Sequence, residues 1–448
     1  MDSAGVAPVR QLSYARKSPH LLGIALVLAV LASASTWFYI DHIQRAQQIA
    51  DAAQHGSPRG NLSDLYPRWL GARELLLHRR NPYSAEITRE IQRGYYGRPL
   101  DPARAEDPKD QVGFAYPAYV VFLLAPTLNF PFDEVHAGFH WFLIALAVAS
   151  LLLWIRFLRW RVSLGYLVVL AALAIGWLPI VQGIKVQQLS LLVAGLLAAS
   201  CVCLSGGWLL PAGGLLALAT IKPQLAWPVV VWLLVWAFHS WQTRRRFVFG
   251  FACIMALLLG GAELILPGWL KMFVTAIGQY HRYTQNQSVL AWTFGPLVGR
   301  IGGVLCFLAC ASLVWRSRKS EATTREFARA TALVLALTIL IVPMFMPYNQ
   351  VLLLPPILVL VEALTSPSPI LPAFRFAGIV GFLPLVWPWV ATLSLMALYP
   401  WLTPKLRQHI WLLPYYSNFM VPIFVFGLSA LNHWSQAASG LREPFAAE

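Results

Sequence analysis

The feature that most limits what this chain can fold into is a succession of long apolar stretches separated by short polar or basic turns. Twelve of them lie near 21–40, 137–155, 163–181, 189–204, 207–221, 224–238, 248–266, 289–314, 328–346, 351–365, 375–397 and 412–431. Most approach the roughly 17 to 25 residues that cross a bilayer as a helix. With 58% hydrophobic and only 12% charged residues, the chain lies outside the range of ordinary globular domains. The strands of a membrane barrel need alternating polarity, which these Leu-, Ala- and Val-rich runs lack. Backbone polar groups inside lipid must then be satisfied within helices. The sequence predicts an all-α polytopic membrane protein, a single integral membrane domain over 1–448 with about 12 transmembrane helices. Residues 21–40 form too long an apolar run, without a convincing small-residue cleavage site, for a signal peptide, and are expected to stay as an anchor.

Basic clusters orient the spans. Arg10, Arg16 and Lys17 precede the first, and further clusters occur at Arg156, Arg159 and Arg161, at Arg244 to Arg246, and at Arg316, Arg318 and Lys319. Cytoplasmic loops carry such an excess, so residues 1–20 and 432–448 are expected as cytoplasmic tails. The same excess accounts for the net charge of +15 without a nucleic-acid partner. Residues 115–131 contain Pro117, Pro126 and Pro131 and would upset the parity of crossings, so they are expected to form a re-entrant or interfacial element covered by protein. Cys201, Cys203, Cys253, Cys306 and Cys310 all lie in apolar runs. That placement predicts packing rather than a disulfide framework or a zinc site.

This topology gathers the unusual polar residues on the external side. The first external loop, 41–113, holds 10 of the 19 acidic residues and 11 basic ones, a nearly neutral composition suited to a small helical cap. Gln182 to Gln188, the Lys222-Pro223-Gln224 turn, residues 267–288 and Met346 to Gln350 fall on the same side, whereas the cytoplasmic loops are short, basic and otherwise featureless. Asp64 is the most informative residue of the loop. It stands in Asn61-Leu62-Ser63-Asp64-Leu65-Tyr66-Pro67-Arg68-Trp69, where Ser63 and Asp64 are good helix N-cap types and Pro67 suits a first turn. Capping and chemistry are both open to it. The 19 tryptophans and 15 tyrosines are mostly explained by the aromatic belts of the two interfaces.

Several motifs, in order, carry a resemblance. They are Asp64 after the first span, Asn81-Pro82-Tyr83, Phe114-Ala115-Tyr116-Pro117 with Ala125-Pro126, Gln182-Gly183 with Gln187-Gln188-Leu189-Ser190, Gly213-Gly214 running to Thr220-Ile221-Lys222-Pro223, and Asn286-Gln287-Ser288. Over roughly residues 20–360 this order resembles glycosyltransferase family 87, which includes mycobacterial mannosyltransferases of the phosphatidylinositol mannoside pathway. The resemblance implies a GT-C fold and a polyprenyl-phosphate sugar donor. It also implies a lipid or glycan acceptor, and a site on the external, periplasmic face of a bacterial inner membrane.

Such chemistry makes sense of a lone carboxylate. A polyprenyl phosphate is already a good leaving group, so no general acid is needed, unlike glycoside hydrolysis with its two carboxylates. One base for the acceptor hydroxyl suffices, and Asp64 is the candidate. The leaving phosphate needs cations, for which Lys222, His281, Arg282 and Lys185 are candidates; each can equally snorkel to the interface. Tyr83, Tyr116, Asn286, Gln287, Tyr348 and Asn349 are candidates for sugar contacts or for structural roles. With no Gly-rich phosphate loop before a strand, no His-Glu-x-x-His and no Asp-x-Asp in the first loop, neither a metal nor another cofactor is expected. The competing class is a transporter or flippase of a lipid-linked sugar, which should carry repeats and midplane ionisable residues; a non-catalytic assembly subunit is the third.

Overall fold

The computed structural model describes residues 19–56, 58, 63–101, 103–284, 287–343, 346–365 and 372–438, and among them there are helices and turns but no strand. Seven helices are long and apolar enough to cross a membrane: His20–Gln54, Phe132–Phe157, Trp241–Ile265, Pro296–Val314, Pro347–Thr365, Val380–Trp401 and Pro404–Gln436. The pair Leu164–Ile175 and Leu178–Lys185, bent by 56°, makes an eighth if it is one span. The protein is an all-helical polytopic membrane protein.

Each of the 12 apolar stretches falls on a helix, yet the count of full-length spans is smaller than expected. Ser190–Ser205, Leu209–Ala219 and Pro223–His239 are shorter, and Arg325–Ile341 has 17 residues. At about 1.5 Å per residue an 11-residue helix covers about half of a ~30 Å hydrocarbon core. These short helices are compensated by burial. Arg325–Ile341 is enclosed along nearly its whole length, as a helix apolar on every face must be. The outer helices instead present bare apolar side chains such as Leu264, Leu297 and Trp141, which are 86%, 72% and 70% exposed; exposure on that scale marks a lipid-facing surface.

Close helix contact is set by small residues. A Cβ on Gly213 would collide with the Phe247 carbonyl oxygen, and one on Gly250 with that of Leu210. The helices Leu209–Ala219 and Trp241–Ile265 therefore meet backbone to backbone, as small-residue faces permit in membranes. Residues 115–131 form only a short helix, Val120–Leu124, and a single turn, Ala125–Thr127. Five residues rise about 8 Å, so this element does not cross. Tyr116, Tyr119, Val120, Val121 and Leu124 are all buried in the core, which supplies the protein cover that such a segment requires.

The bundle has two chemically different ends. At one, Arg244 donates to the carbonyls of Trp236 at 2.8 Å, Arg318 at 2.9 Å and Ser320 at 3.1 Å, joining two of the basic clusters. At the other, the 63–131 segment folds over the helix ends as two helices, Leu65–His78 and Ala85–Tyr96, and the short element after them. Arg80 ties this cap together through Glu74 at 2.7 Å, Glu86 at 2.9 Å and Glu90.

Candidate active site

Asp64 stands at the N-cap position of Leu65–His78, but its side chain makes no capping bond. Its place is fixed from the turn that follows Leu178–Lys185. The Asp64 backbone N–H donates to the Val186 carbonyl at 2.8 Å, and Ser63 Oγ donates to Gln187 Oε1 at 2.6 Å. Gln187 in turn donates from Nε2 to the His136 carbonyl at 2.6 Å. Its backbone sits at φ +54°, a left-handed conformation that costs an ordinary residue about 1–2 kcal/mol. These bonds at both ends of its amide offset that cost. Freed from capping, the Asp64 carboxylate accepts a hydrogen bond at Oδ2 from Gln188 Nε2.

The other end of the Gln188 amide holds Lys222. Pro223 begins the helix Pro223–His239, and a residue before proline is driven out of helical geometry. Lys222 accordingly lies extended at φ −123° and ψ 76°, in the turn between two apolar helices. It is only 3% exposed. Its Nζ donates to Ser190 Oγ at 2.6 Å, Gln188 Oε1 at 2.8 Å and Asn349 Oδ1 at 3.2 Å, and sits 5.0 Å from the centre of the Tyr348 ring. Burial first, and then the Arg68 charge, push the ammonium down to about 7 against the pull of Asp64. Its turn is braced by Tyr119, whose hydroxyl donates to the Thr220 carbonyl at 2.9 Å.

Arg68, one helical turn beyond Asp64, completes the cluster. A guanidinium N–H donates to the Asp64 main-chain carbonyl, leaving the carboxylate to Gln188, and the guanidinium lies 4.6 Å from the centre of the Tyr116 ring. Arg68 feels the charge state of Asp64, Tyr116, Tyr280 and Tyr348 together. Burial raises the Tyr116 phenol above its ordinary range, with Arg68 opposing, and burial likewise raises the Asp110 carboxyl, which also lies in the field of Asp64 and Arg68. Beside the cluster a cleft of ≈ 470 Å³ opens between the cap and the helix Trp269–Thr284, lined among others by Tyr83, Thr88, Arg89, Gln111, Phe114 and Gln279. Tyr83 links cleft and cluster, since its hydroxyl donates to the Tyr116 carbonyl at 2.6 Å.

Of the residues singled out in the sequence, Asp64, Lys222, Tyr116 and Tyr348 are brought together, with Tyr83 one contact away. Lys185 is engaged elsewhere, in an ion pair with Asp41 at 2.7 Å and over the Trp37 ring at 4.7 Å. His281 and Arg282 are exposed on Trp269–Thr284, and among the described residues neither contacts Asp64 or Lys222. Gln287 is exposed, and Asn286 lies outside the described residues. Neither Arg68 nor Ser190 is marked as a site residue by the sequence, whereas Asn349 is a candidate for sugar contacts or capping. Pro347-Tyr348-Asn349-Gln350 carried a usable signal, a polar run between two apolar helices. Asn349 meets Lys222, while Gln350 is locked to Asn418 by bonds of 3.1 and 2.9 Å.

Fold and site define a polytopic membrane protein that gathers a carboxylate, a buried ammonium and a guanidinium at one end of its helical bundle. The chain belongs to glycosyltransferase family 87, whose family model matches residues 114–347, more than half of its length. It is a membrane glycosyltransferase. The matched region includes Tyr116, Gln188 and Lys222, but Asp64, Arg68 and Tyr83 precede it and Tyr348 follows it, so their place in the site rests on the geometry. Neither the search of curated proteins nor that of solved structures returned a match.

Proposed function

We propose that this glycosyltransferase is an inverting enzyme of the GT-C type, moving a single sugar, mannose foremost, from a polyprenyl-phosphate donor to a lipid or glycan acceptor on the external face of the membrane. The observation that carries this reading is the Gln188 amide, which ties the Asp64 carboxylate to the Lys222 ammonium. A base and a titratable ammonium are thereby held a side chain apart. In the reaction the acceptor oxygen forms a bond to the anomeric carbon as the bond from that carbon to the phosphate oxygen breaks. The electron pair leaves with the phosphate, and the acceptor proton passes to Asp64. The donor diester carries one negative charge and the departing monoester up to two, so cations near the leaving oxygen stabilise the transition state more than the ground state.

The acceptor's place is the cleft bordered by Tyr83, Arg89, Phe114 and Gln279. Amide and guanidinium groups there suit paired hydroxyls, and aromatic rings suit the apolar face of a sugar. A transporter reading has less support, because among the described residues the buried ionisable groups sit at the ends of the bundle, Lys222 at one and Arg244 at the other, instead of along a path between them. The test is purified protein in lipid vesicles, given radiolabelled polyprenyl-phosphate mannose and a lipid extract. Label is expected in a new, larger product. Passage of intact donor across the vesicle wall without such a product would establish a flippase instead.

A further inference from the structure

We propose that Arg68 and the Tyr116 hydroxyl form, with Lys222, an anion cradle that hydrogen-bonds the phosphate of a prenyl phosphate; this rests on the donor proposed above. The starting point is the donor count at Lys222. An ammonium has three N–H groups, and all three are engaged by Gln188, Ser190 and Asn349. Lys222 therefore supplies charge but has no hydrogen bond to spare without giving one up. Direct donors must come from elsewhere.

Two are present. Tyr116 is 5% exposed, and although Arg68 donates toward its hydroxyl oxygen, the phenolic proton has no acceptor among the described residues. The guanidinium beside it is a donor, so it offers no acceptor for the phenolic proton. Buried hydroxyls are normally paired, and an acceptor on a bound ligand is the missing partner. Arg68 spends one N–H on the Asp64 carbonyl, and the planar fork of a guanidinium matches two phosphate oxygens at once. The charges point the same way. Arg68 and Lys222 are close enough for the guanidinium to disfavour the ammonium, and they face the Asp64 carboxylate, with Asp110 pushed by burial toward its neutral form. Tyr95, which also faces the cluster, is held in its neutral form by burial. When Lys222 is protonated, two basic groups stand beside the Asp64 and Asp110 carboxylates, and a bound anion would favour the charged ammonium.

The test is binding of a short-chain prenyl monophosphate and of the matching prenyl alcohol to the full chain in detergent micelles, with thermal unfolding as the check on folding. The wild type should prefer the phosphate. Hydrogen bonds to charged groups are worth about 1.5–3 kcal/mol, so Arg68→Gln should cut phosphate affinity about 10–100-fold while sparing the alcohol. Arg68→Lys should recover part of that loss. Tyr116→Phe, which removes only the hydroxyl, should cost about tenfold, and it decides the matter should Arg68→Gln fail to fold. If Lys222→Ala abolishes the preference while Arg68→Gln and Tyr116→Phe leave it intact, the cradle is wrong and the donor reading survives. Equal binding of phosphate and alcohol by the wild type would remove the donor reading and the cradle with it.

Discussion

Asp64 and Lys222 are held at opposite ends of one amide: Gln188 donates from Nε2 to Asp64 Oδ2 and accepts at Oε1 from Lys222 Nζ at 2.8 Å. The two make no direct ion pair among the described residues. A direct pair would weaken the carboxylate as a base and spend the ammonium's charge on it. The intervening amide orients both groups and leaves each its role.

Asp64→Asn keeps the size and an oxygen for Gln188 but cannot take a proton at neutral pH. Loss of a positioned general base typically costs about 100 to 10,000-fold in rate. The variant is expected to fold, to bind donor and to lose turnover on that scale, as read from labelled sugar transfer. Near-wild-type turnover would make Asp64 structural.

Gln188→Leu removes both hydrogen bonds without emptying the space. Small displacements of catalytic groups can cost about 100-fold, so turnover should fall by about that factor with a smaller change in donor affinity. An equal loss in Gln188→Leu and Asp64→Asn, with no further loss in the double variant, is the mark of two residues acting as a unit. Fully additive losses would show that Gln188 acts on something other than Asp64.

Lys222 sets a pH dependence. Its ammonium is pushed down to about 7, so it is charged below that pH and neutral above it. kcat/KM reports the free enzyme, and it should decline as pH rises through about 7 to 8. Lys222→Ala should weaken donor binding at low pH, and Lys222→Arg should keep part of it and abolish the alkaline decline, because a guanidinium stays charged. An alkaline limb that persists in Lys222→Arg belongs to another group. The linkage to stability has the opposite direction. Unfolded lysine titrates near 10.4, so between about 7 and 10.4 the unfolded chain binds more protons and this site makes folding more favourable as pH rises.

Gly213 tests the helix contact beneath the site. A Cβ there would meet the Phe247 carbonyl oxygen, and overpacking of this kind typically costs about 1–3 kcal/mol. Gly213→Leu should lower the thermal unfolding midpoint in micelles, whereas the same change at Gly260, where a Cβ meets nothing within 4 Å, should not. Equal tolerance at both positions would mean the two helices do not meet through Gly213.

The proposed orientation is checked at Ala105, exposed in the cap. Ala105→Cys should react with a membrane-impermeant maleimide in spheroplasts. Reaction only after permeabilisation would turn the protein over and place the site in the cytoplasm.

Much of this was legible in the sequence. Apolar runs alone dictate helices, since nothing else satisfies a backbone in lipid. Pro223 forces Lys222 out of the helix, Ser63-Asp64 marks the start of one, and the prolines of 115–131 stop that stretch from crossing. What the sequence left open was which polar groups meet. Four cations were plausible partners for a phosphate. Tertiary structure alone engaged Lys185 with Asp41, left His281 and Arg282 on an exposed helix, and brought in Arg68 beside Tyr116. It also joined Asp64 to Gln188 across 124 residues and Lys222 to Asn349 across 127. The physical reason is that apolar composition fixes a helix in the membrane without fixing its rotation, because lipid receives every apolar face alike. Rotation and register follow from close contacts such as Gly213 against Phe247, and only with those in place do side chains distant in sequence come within hydrogen-bond reach.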